Sequence, residues 1–306
     1  MDTGTQHVAA QPLAAYARDI TSSGGEDGII ELIFSVIGTT NRWCVELGAL
    51  DGVYDSNTKN LIDHGWSAVL IEADAGYSKK LRTHYADNPR VVPVEAFVSF
   101  EGENSLEQLF AQTPLPIDFD LLVLDVDGNE YHLWESLAAY RPRVVCVEFN
   151  PTIPNDIDFV QPRDMRVQQG SSLCALNRLA ESKGYRLVGT TGVNAFFVQA
   201  SLFDLFGITD ASLSVLHPDT RFHTRLFQLY DGTLVLDGYQ RLFWHRLPLT
   251  PESVQALPKW KRHYPAGIHP SGMVRMLKHY ARRMPGHAWL VRLKQRLYSA
   301  RPRTTL

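Results

Sequence analysis

No acidic residue follows Glu252 in this chain, whereas Lys259, Lys261, Arg262, Arg275, Lys278, Arg282 and further bases accumulate there. From Ser201 to the end, 16 Lys and Arg stand against 6 Asp and Glu, while residues 1–200 carry 14 against 27. A net charge of −3 therefore hides two parts of opposite sign, and the basic part favours an anionic partner. Cysteine is scarce. Cys44, Cys146 and Cys174 have no C-x-x-C spacing, and the first two lie in apolar runs where a thiol acts as a small hydrophobe. No run approaches the roughly 20 apolar residues of a membrane span, and Met1 to Ala15 lacks a basic region followed by an apolar stretch. A cytoplasmic location is expected, peripheral to a membrane if the tail docks there. Internal repeats and low-complexity segments are also missing, and no specific nucleic-acid partner is expected.

What the chain does have is regular alternation. A helix is expected over residues 26–37, behind an acid-rich first turn. Strand patterns follow at 43–47, 67–72, 91–95, 119–125, 143–148, 185–190 and 194–199, with helical patterns between them near 57–64, 76–85, 105–112, 131–139 and 171–183. Such alternation predicts an α/β fold, a doubly wound, mostly parallel seven-stranded sheet with helices on both faces. The short Gly192-Val193-Asn194 connection resembles a hairpin and makes the last strand antiparallel. After Ser201 the pattern changes, giving a domain over 1–200 and a basic, partly helical C-terminal extension over 201–306. Two helices are expected in that extension, near 271–283 and 287–299, either packed on the preceding domain or docked on an anionic membrane or polymer.

The first strand ends in Glu46-Leu47-Gly48-Ala49-Leu50-Asp51-Gly52. Glycines let the backbone turn tightly and lie against a ligand. The second strand ends in Glu72, at the distance where doubly wound sheets offer a carboxylate to a ribose diol. The dinucleotide fingerprint G-x-G-x-x-G is missing, and the acids Glu46 and Asp51 would repel a pyrophosphate. A cationic, phosphate-free nucleoside fits instead, which describes S-adenosylmethionine.

A second acidic group closes the fourth and fifth strands. Asp125, Asp127 and Glu130 follow the run Leu121 to Leu124, and Glu148 and Asn150 follow Val144 to Val147. Open α/β sheets bind ligands at this carboxyl edge, so Asp125, Asp127, Glu148 and Asn150 are expected around the transferable methyl group. Three roles are open to them. One carboxylate, raised in pKa by burial, acts as general base; or the four oxygen ligands hold Mg²⁺; or the acids only cap loops and helix ends, Asp127 doing so for the helix near Glu130. The proline-containing connection of about 20 residues after Asn150 is expected to be an ordered lid over the acceptor. His64, His84 and His132 sit on helical patterns and are expected to be structural.

Over roughly residues 20–200 the chain resembles the FkbM-like S-adenosylmethionine-dependent methyltransferases, of the class I Rossmann-like fold. The resemblance rests on Glu46 to Gly52, Glu72, Leu124-Asp125-Val126-Asp127-Gly128-Asn129-Glu130, Val147-Glu148, Gly184-Tyr185 and Asn194 to Val198. It implies that Glu46, Gly48, Ala49 and Gly52 line the methionine end of the cofactor, that Glu72 binds its ribose, and that Asp125 faces the amino-acid or methyl region. It also implies O-methylation of a small-molecule or saccharide acceptor, such as a glycolipid or natural product. The chain departs from the family at Val123, where a lysine is common, and at Asp127, which replaces a glutamate.

Two other readings compete. Asp125-x-Asp127 after an apolar strand also suits a glycosyltransferase holding a metal on a nucleotide-sugar diphosphate, although that reading leaves Glu72 and the glycine turn without a role. A methyltransferase-shaped domain without turnover, recruiting partners through its basic tail, is the other.

Overall fold

The computed structural model describes residues 13–264 together with His279 and Tyr280. The helix expected over 287–299 lies outside the described residues, as does all of 271–283 except His279 and Tyr280, which are helical. The chain divides into two compact units, residues 1–224 and 225–306.

In the first unit, α1 (Glu26–Ile37) leads into β1 (Trp43–Leu47), and there follow α2 (Lys59–Asp63), β2 (Ser67–Glu72), α3 (Ala75–His84), β3 (Val91–Glu95), α4 (Leu106–Ala111) and β4 (Leu121–Leu124). The series continues with α5 (Glu130–Ser136), β5 (Val144–Glu148), α6 (Leu173–Ser182), β6 (Tyr185–Thr190) and β7 (Asn194–Gln199), and ends in the short α7 (Leu213–Leu216). The strands form one sheet in the order β3-β2-β1-β4-β5-β7-β6. Every pairing is parallel except those of β7, which runs antiparallel between β5 and β6. The doubly wound, mostly parallel seven-stranded sheet expected from the alternation is therefore present.

Period-two alternation sorts the strand residues onto two faces. Val45, Leu47, Leu122, Leu124, Val145 and Val147 pack with α4, α5 and α6, while Cys44, Leu70, Leu121, Val123 and Cys146 pack with α1, α2 and α3. Helices thus cover both faces, which is why the strands are apolar throughout. Cys44 and Cys146 are buried free thiols, and burial pushes both well up in pKa. Residues 201–216 also belong to this unit: Phe203 and Leu216 are buried in its core.

At the amino edge of the sheet the buried Asp120 gathers a set of donors. Its carboxylate accepts the N–H groups of Thr40, Asn41 and Arg42, the Thr40 hydroxyl and the Arg143 guanidinium at 2.8 Å. Burial works to raise its pKa, but Arg143, Thr40 and Arg42 outweigh it, and the group lies below the usual aspartate value.

The acids opening α1 do more than face its dipole. Asp27 accepts the backbone N–H groups of Ile20, Thr21 and Ser22, and Glu26 accepts Thr191 and Asn194 beside the β6–β7 turn.

In the second unit the described residues form a hairpin of β8 (Thr224–Gln228) and β9 (Leu234–Gly238), followed by short 3-10 turns at Pro251–Val254 and Lys259–Lys261. Among the described residues no helix is long and apolar enough to cross a membrane.

Candidate functional site

A cleft of about 480 Å³ opens at the carboxyl ends of β1, β2, β3 and β4. This volume lies within the range of small-molecule sites, and the position is where open α/β sheets take ligands. Each strand contributes its C-terminal turn. Gly48 and Leu50 come from β1, Glu72 and Asp74 from β2, Ala96, Phe97 and Val98 from the segment after β3, and Asp125 to Asn129 from β4. Met165 and Gln168 of the β5–α6 connection complete the wall.

The β1 turn depends on Gly48 for a steric reason. Its φ is +75°, and a Cβ there would overlap the carbonyl oxygen of Asp125 on the neighbouring strand. Its N–H and that of Ala49 both donate to the Ile71 carbonyl, so the turn is folded back onto β2. Glu72, at the tip of β2, is buried and faces the cleft, its Oε2 accepting Leu50 N–H at 2.8 Å and its Oε1 accepting Asp74 N–H at 2.7 Å. Each oxygen keeps acceptor capacity beyond its one backbone donor.

Several residues expected to line the cofactor stand elsewhere. Glu46 is buried behind the turn, where Ser56 Oγ, Asn57 N–H and Thr58 Oγ1 donate to it at 2.6 to 2.7 Å. Burial raises its pKa, and the three hydrogen bonds work against that rise. Ala49 is packed in the core on the α1–α3 face. Gly52 abuts Leu81 and Tyr85, and its carbonyl accepts the Tyr85 hydroxyl at 2.7 Å. Asp51 caps its own loop by accepting Val53 and Tyr54 N–H. None of these four is among the cleft-lining residues, so Glu46, Ala49, Asp51 and Gly52 shape and brace the turn.

The acidic residues after β4 and β5 divide by environment. Asp127 and Asn129, on either side of Gly128, have positive φ, a strained conformation for non-glycine residues of the kind that clusters at functional sites. Glu130 holds this turn from α5: its Oε1 accepts Val126 N–H and Gly128 N–H. Asp125 lines the cleft, and Glu148 ends the adjacent strand β5, one position beyond the Leu124–Val147 register pair. Burial, with the charges of Glu130 and Asp127 behind it, raises Asp125; burial and then Asp125 raise Glu148; burial is also the largest influence raising Glu130. Asp127 is exposed, lines the cleft and accepts no hydrogen bond among the described residues. It does not cap α5, whose N-cap position is Asn129 without a side-chain cap bond.

The Mg²⁺ arrangement is corrected by these contacts. Asn150 Oδ1 accepts both the N–H and the hydroxyl of Thr152, its amide nitrogen donates to the Gln169 carbonyl, and it is not in the cleft wall. Asp125 and Asp127 line the cleft, and Glu148 does not. Among the described residues no group of three His, Cys, Asp or Glu has a metal-binding arrangement. The donor set does not fit the ion.

The connection between β5 and α6 is fixed by residues with no obvious signature. Gln161 is buried; its Oε1 accepts Gln169 and Gly170 N–H, and its amide donates to the Val167 carbonyl. Asn129 donates to the same Val167 carbonyl, tying the connection to the β4 turn. His132 bonds the Gln161 carbonyl at 2.8 Å and packs on Phe100, and His64 bonds the Asn60 carbonyl. Both are structural histidines, and His84 stacks edge-on to Tyr85.

Charge is one-sided in the cleft. Five carboxyl residues line it (Asp55, Glu72, Asp74, Asp125 and Asp127), and among the described residues no lysine, arginine or histidine does.

No protein-family profile matches the chain, and no curated protein sequence does. Among solved structures the chain is similar to an O-methyltransferase from Bacillus cereus in complex with SAH, at 21% identity and TM-score 0.41, over 60% of this chain and 84% of that one. It is similar to a putative caffeoyl-CoA O-methyltransferase from Staphylococcus aureus at 15% identity and TM-score 0.39, over 59% and 85% of the two chains. A SAM dependent methyltransferase from Aquifex aeolicus gives 12% identity and TM-score 0.35, over 56% and 89%.

Proposed function

We propose that the chain is an S-adenosylmethionine-dependent methyltransferase that methylates a hydroxyl group of a saccharide, glycolipid or natural product. The observation that carries this reading is the convergence of Glu72 and the Gly48 turn on one cleft with five carboxyl residues and no cationic side chain on its described wall. Such a wall favours a cationic nucleoside and opposes a phosphorylated one. The FkbM-like resemblance over residues 20–200 supports it further.

When bound, S-adenosylmethionine supplies an electrophilic methyl group on a sulfonium. The protein's part is positioning and proton transfer. Glu72 receives the ribose hydroxyls, Ala96, Phe97 and Val98 offer the apolar end of the cleft to the base, and the acidic β4 turn takes the charged end. Asp127 is the carboxylate free to accept the acceptor's proton. Met165 and Gln168 stand in the wall of the cleft.

The glycosyltransferase reading has less support. The described wall offers no cation to a diphosphate.

Mass spectrometry of the purified protein and titration calorimetry test the assignment. Bound or titratable S-adenosylmethionine or S-adenosylhomocysteine is the expected result; affinity for a nucleotide-sugar in their place would overturn it. For the basic C-terminal stretch we propose docking on an anionic surface. Sedimentation with anionic vesicles should retain the full chain, lose a chain ending near Pro258, and weaken as salt shortens the Debye length; equal behaviour of both chains would sink that proposal.

A further inference from the structure

The turn that joins β8 to β9 is held by its own hydrogen bonds. Leu229 N–H donates to the Thr233 carbonyl and Gly232 N–H to that of Leu229, with Gly232 at φ +84°. Asp231 gives both carboxylate oxygens to the turn, Oδ1 accepting the Thr233 N–H and Oδ2 the Thr233 hydroxyl, each at 2.9 Å. Gln255 fastens the segment after β9 back onto that strand: its Oε1 accepts the Leu234 N–H, and its amide donates to the Leu234 and Pro251 carbonyls. Leu257 then packs so closely on the turn that a Cβ on Gly232 would overlap its Cδ1. Between the turn and this segment lies a cavity of about 520 Å³, within the range of small-molecule sites.

Two tyrosine rings make a corner of that cavity. Tyr230 and Tyr264 meet edge to face, with centroids 6.5 Å apart and planes at 88°, and they are 90% and 53% exposed. The polar groups on the same wall are mixed in sign, with Asp231, Lys261, Gln228 and His263 around the rings. Among the described residues the side chains of Gln228, Tyr230, His263 and Tyr264 make no hydrogen bond, so their polar atoms remain open to a ligand.

We infer that this cavity is a binding site for a neutral saccharide. Aromatic rings take apolar surface on their faces, and rings at right angles cannot sandwich a flat base between them. A puckered sugar ring fits such a corner, because it shows C–H bonds on its face and along its edge and carries hydroxyls around its rim. Those hydroxyls both donate and accept. The wall offers donors in Lys261 and Gln228 and acceptors in Gln228 and Asp231, whose oxygens keep capacity beyond their bonds to Thr233. A phosphate chain would meet the Asp231 carboxylate on the same wall as Lys261, which disfavours a polyanion. The inference goes beyond the methyl-transfer reading and does not depend on it, since these wall residues all belong to the second unit.

Tyr230 is almost wholly exposed, so Tyr230→Ala removes one side of the corner without touching the core. Saturation-transfer NMR and titration calorimetry of the full chain, with neutral oligosaccharides of glucose, mannose and galactose as probes, test the site. The expected result is binding of at least one of them through its ring C–H protons, weakened about fivefold or more by Tyr230→Ala and by Tyr264→Ala, with S-adenosylmethionine affinity unchanged in both variants. Tyr230→Phe keeps the ring and should retain the larger part of the affinity. No binding of any of these sugars overturns the inference and leaves the cofactor assignment standing. Binding that both alanine variants leave unchanged overturns it too, because the sugar would then sit in the cleft of the first unit. Displacement of the sugar by a lower concentration of single-stranded oligothymidylate would make the cavity a nucleic-acid site and would also overturn it. If the sugar binds as expected and S-adenosylmethionine does not, the inference stands and the cofactor assignment falls.

Discussion

The backbone N–H of Leu50 donates to Glu72 Oε2 at 2.8 Å, which joins the turn after β1 to the tip of β2 in one hydrogen-bonded unit. Leu50 has a φ of +48°, an unfavourable conformation for a residue with a branched side chain, and the bond to Glu72 helps to hold it there. Glu72 therefore orients the turn and presents acceptors to the cleft at once. Glu72→Ala should weaken S-adenosylmethionine binding by about 1.5 to 3 kcal/mol, the range for hydrogen bonds that involve a charged group. Calorimetry on a variant with an unchanged circular dichroism spectrum checks this; wild-type affinity would remove Glu72 from the ribose site.

Asp127 has a different role and predicts a different kinetic signature. It is exposed, strained in backbone and without a hydrogen bond among the described residues, so neither the fold nor the turn relies on its carboxylate. Asp127→Asn should lower kcat by about 10²-fold or more, with cofactor affinity within a few-fold of wild type, as for loss of a proton acceptor that acts in the transition state. Steady-state kinetics beside calorimetry decide the matter, and a parallel loss of cofactor affinity would make Asp127 a binding residue.

Gly48 cannot be tested by filling the pocket alone. A Cβ there meets the Asp125 carbonyl before it meets any ligand, and positive φ adds strain of about 1 to 3 kcal/mol. Gly48→Ala should therefore lower the melting temperature as well as cofactor affinity. An unchanged thermal transition in a variant that no longer binds the cofactor would show that the glycine serves the ligand only.

The sheet, its order of strands and helices, and the acids at its carboxyl edge were legible in the sequence because apolar strands and helical periods are local patterns. Glu72 and Asp125 were found by position at strand ends, and both line the cleft. Glu46 is not in the cleft wall, and the reason is physical. It ends an apolar strand as Glu72 does, but its side chain is on the α1–α3 face, where Ser56, Asn57 and Thr58 satisfy it from the loop before α2. Its register partner on β4 is Val123. Gln161, Met165 and Gln168 gave no signal because their roles arise from the fold of one long connection across the β4 turn. Asn150 looked like an oxygen ligand in sequence and is spent on Thr152 and Gln169.

Asp120 also escaped the sequence reading, being one more aspartate beside an apolar strand, and it carries the clearest prediction for stability. Its carboxylate is fully buried and receives the 40–42 loop and Arg143, whose guanidinium also donates to the Ile37 and Gly38 carbonyls at the end of α1. One side chain thereby fastens α1, β1, β4 and β5 at the edge opposite the cleft. Removing one partner of a buried pair costs about 3 to 5 kcal/mol, so Asp120→Ala should be strongly destabilised, and a paired Asp120→Ala, Arg143→Met change should cost less than the two single changes added. The sign with pH is set by the depressed folded-state pKa. The contribution of Asp120 is complete above the unfolded aspartate value near 3.9 and is lost as pH falls through the lower folded value. Denaturant unfolding between about pH 2.5 and pH 7 should show this acid limb in the wild type and a shallower one in Asp120→Asn. Parallel acid limbs in the two proteins would mean that other carboxylates govern acid unfolding and that the Asp120 contacts add little to the fold.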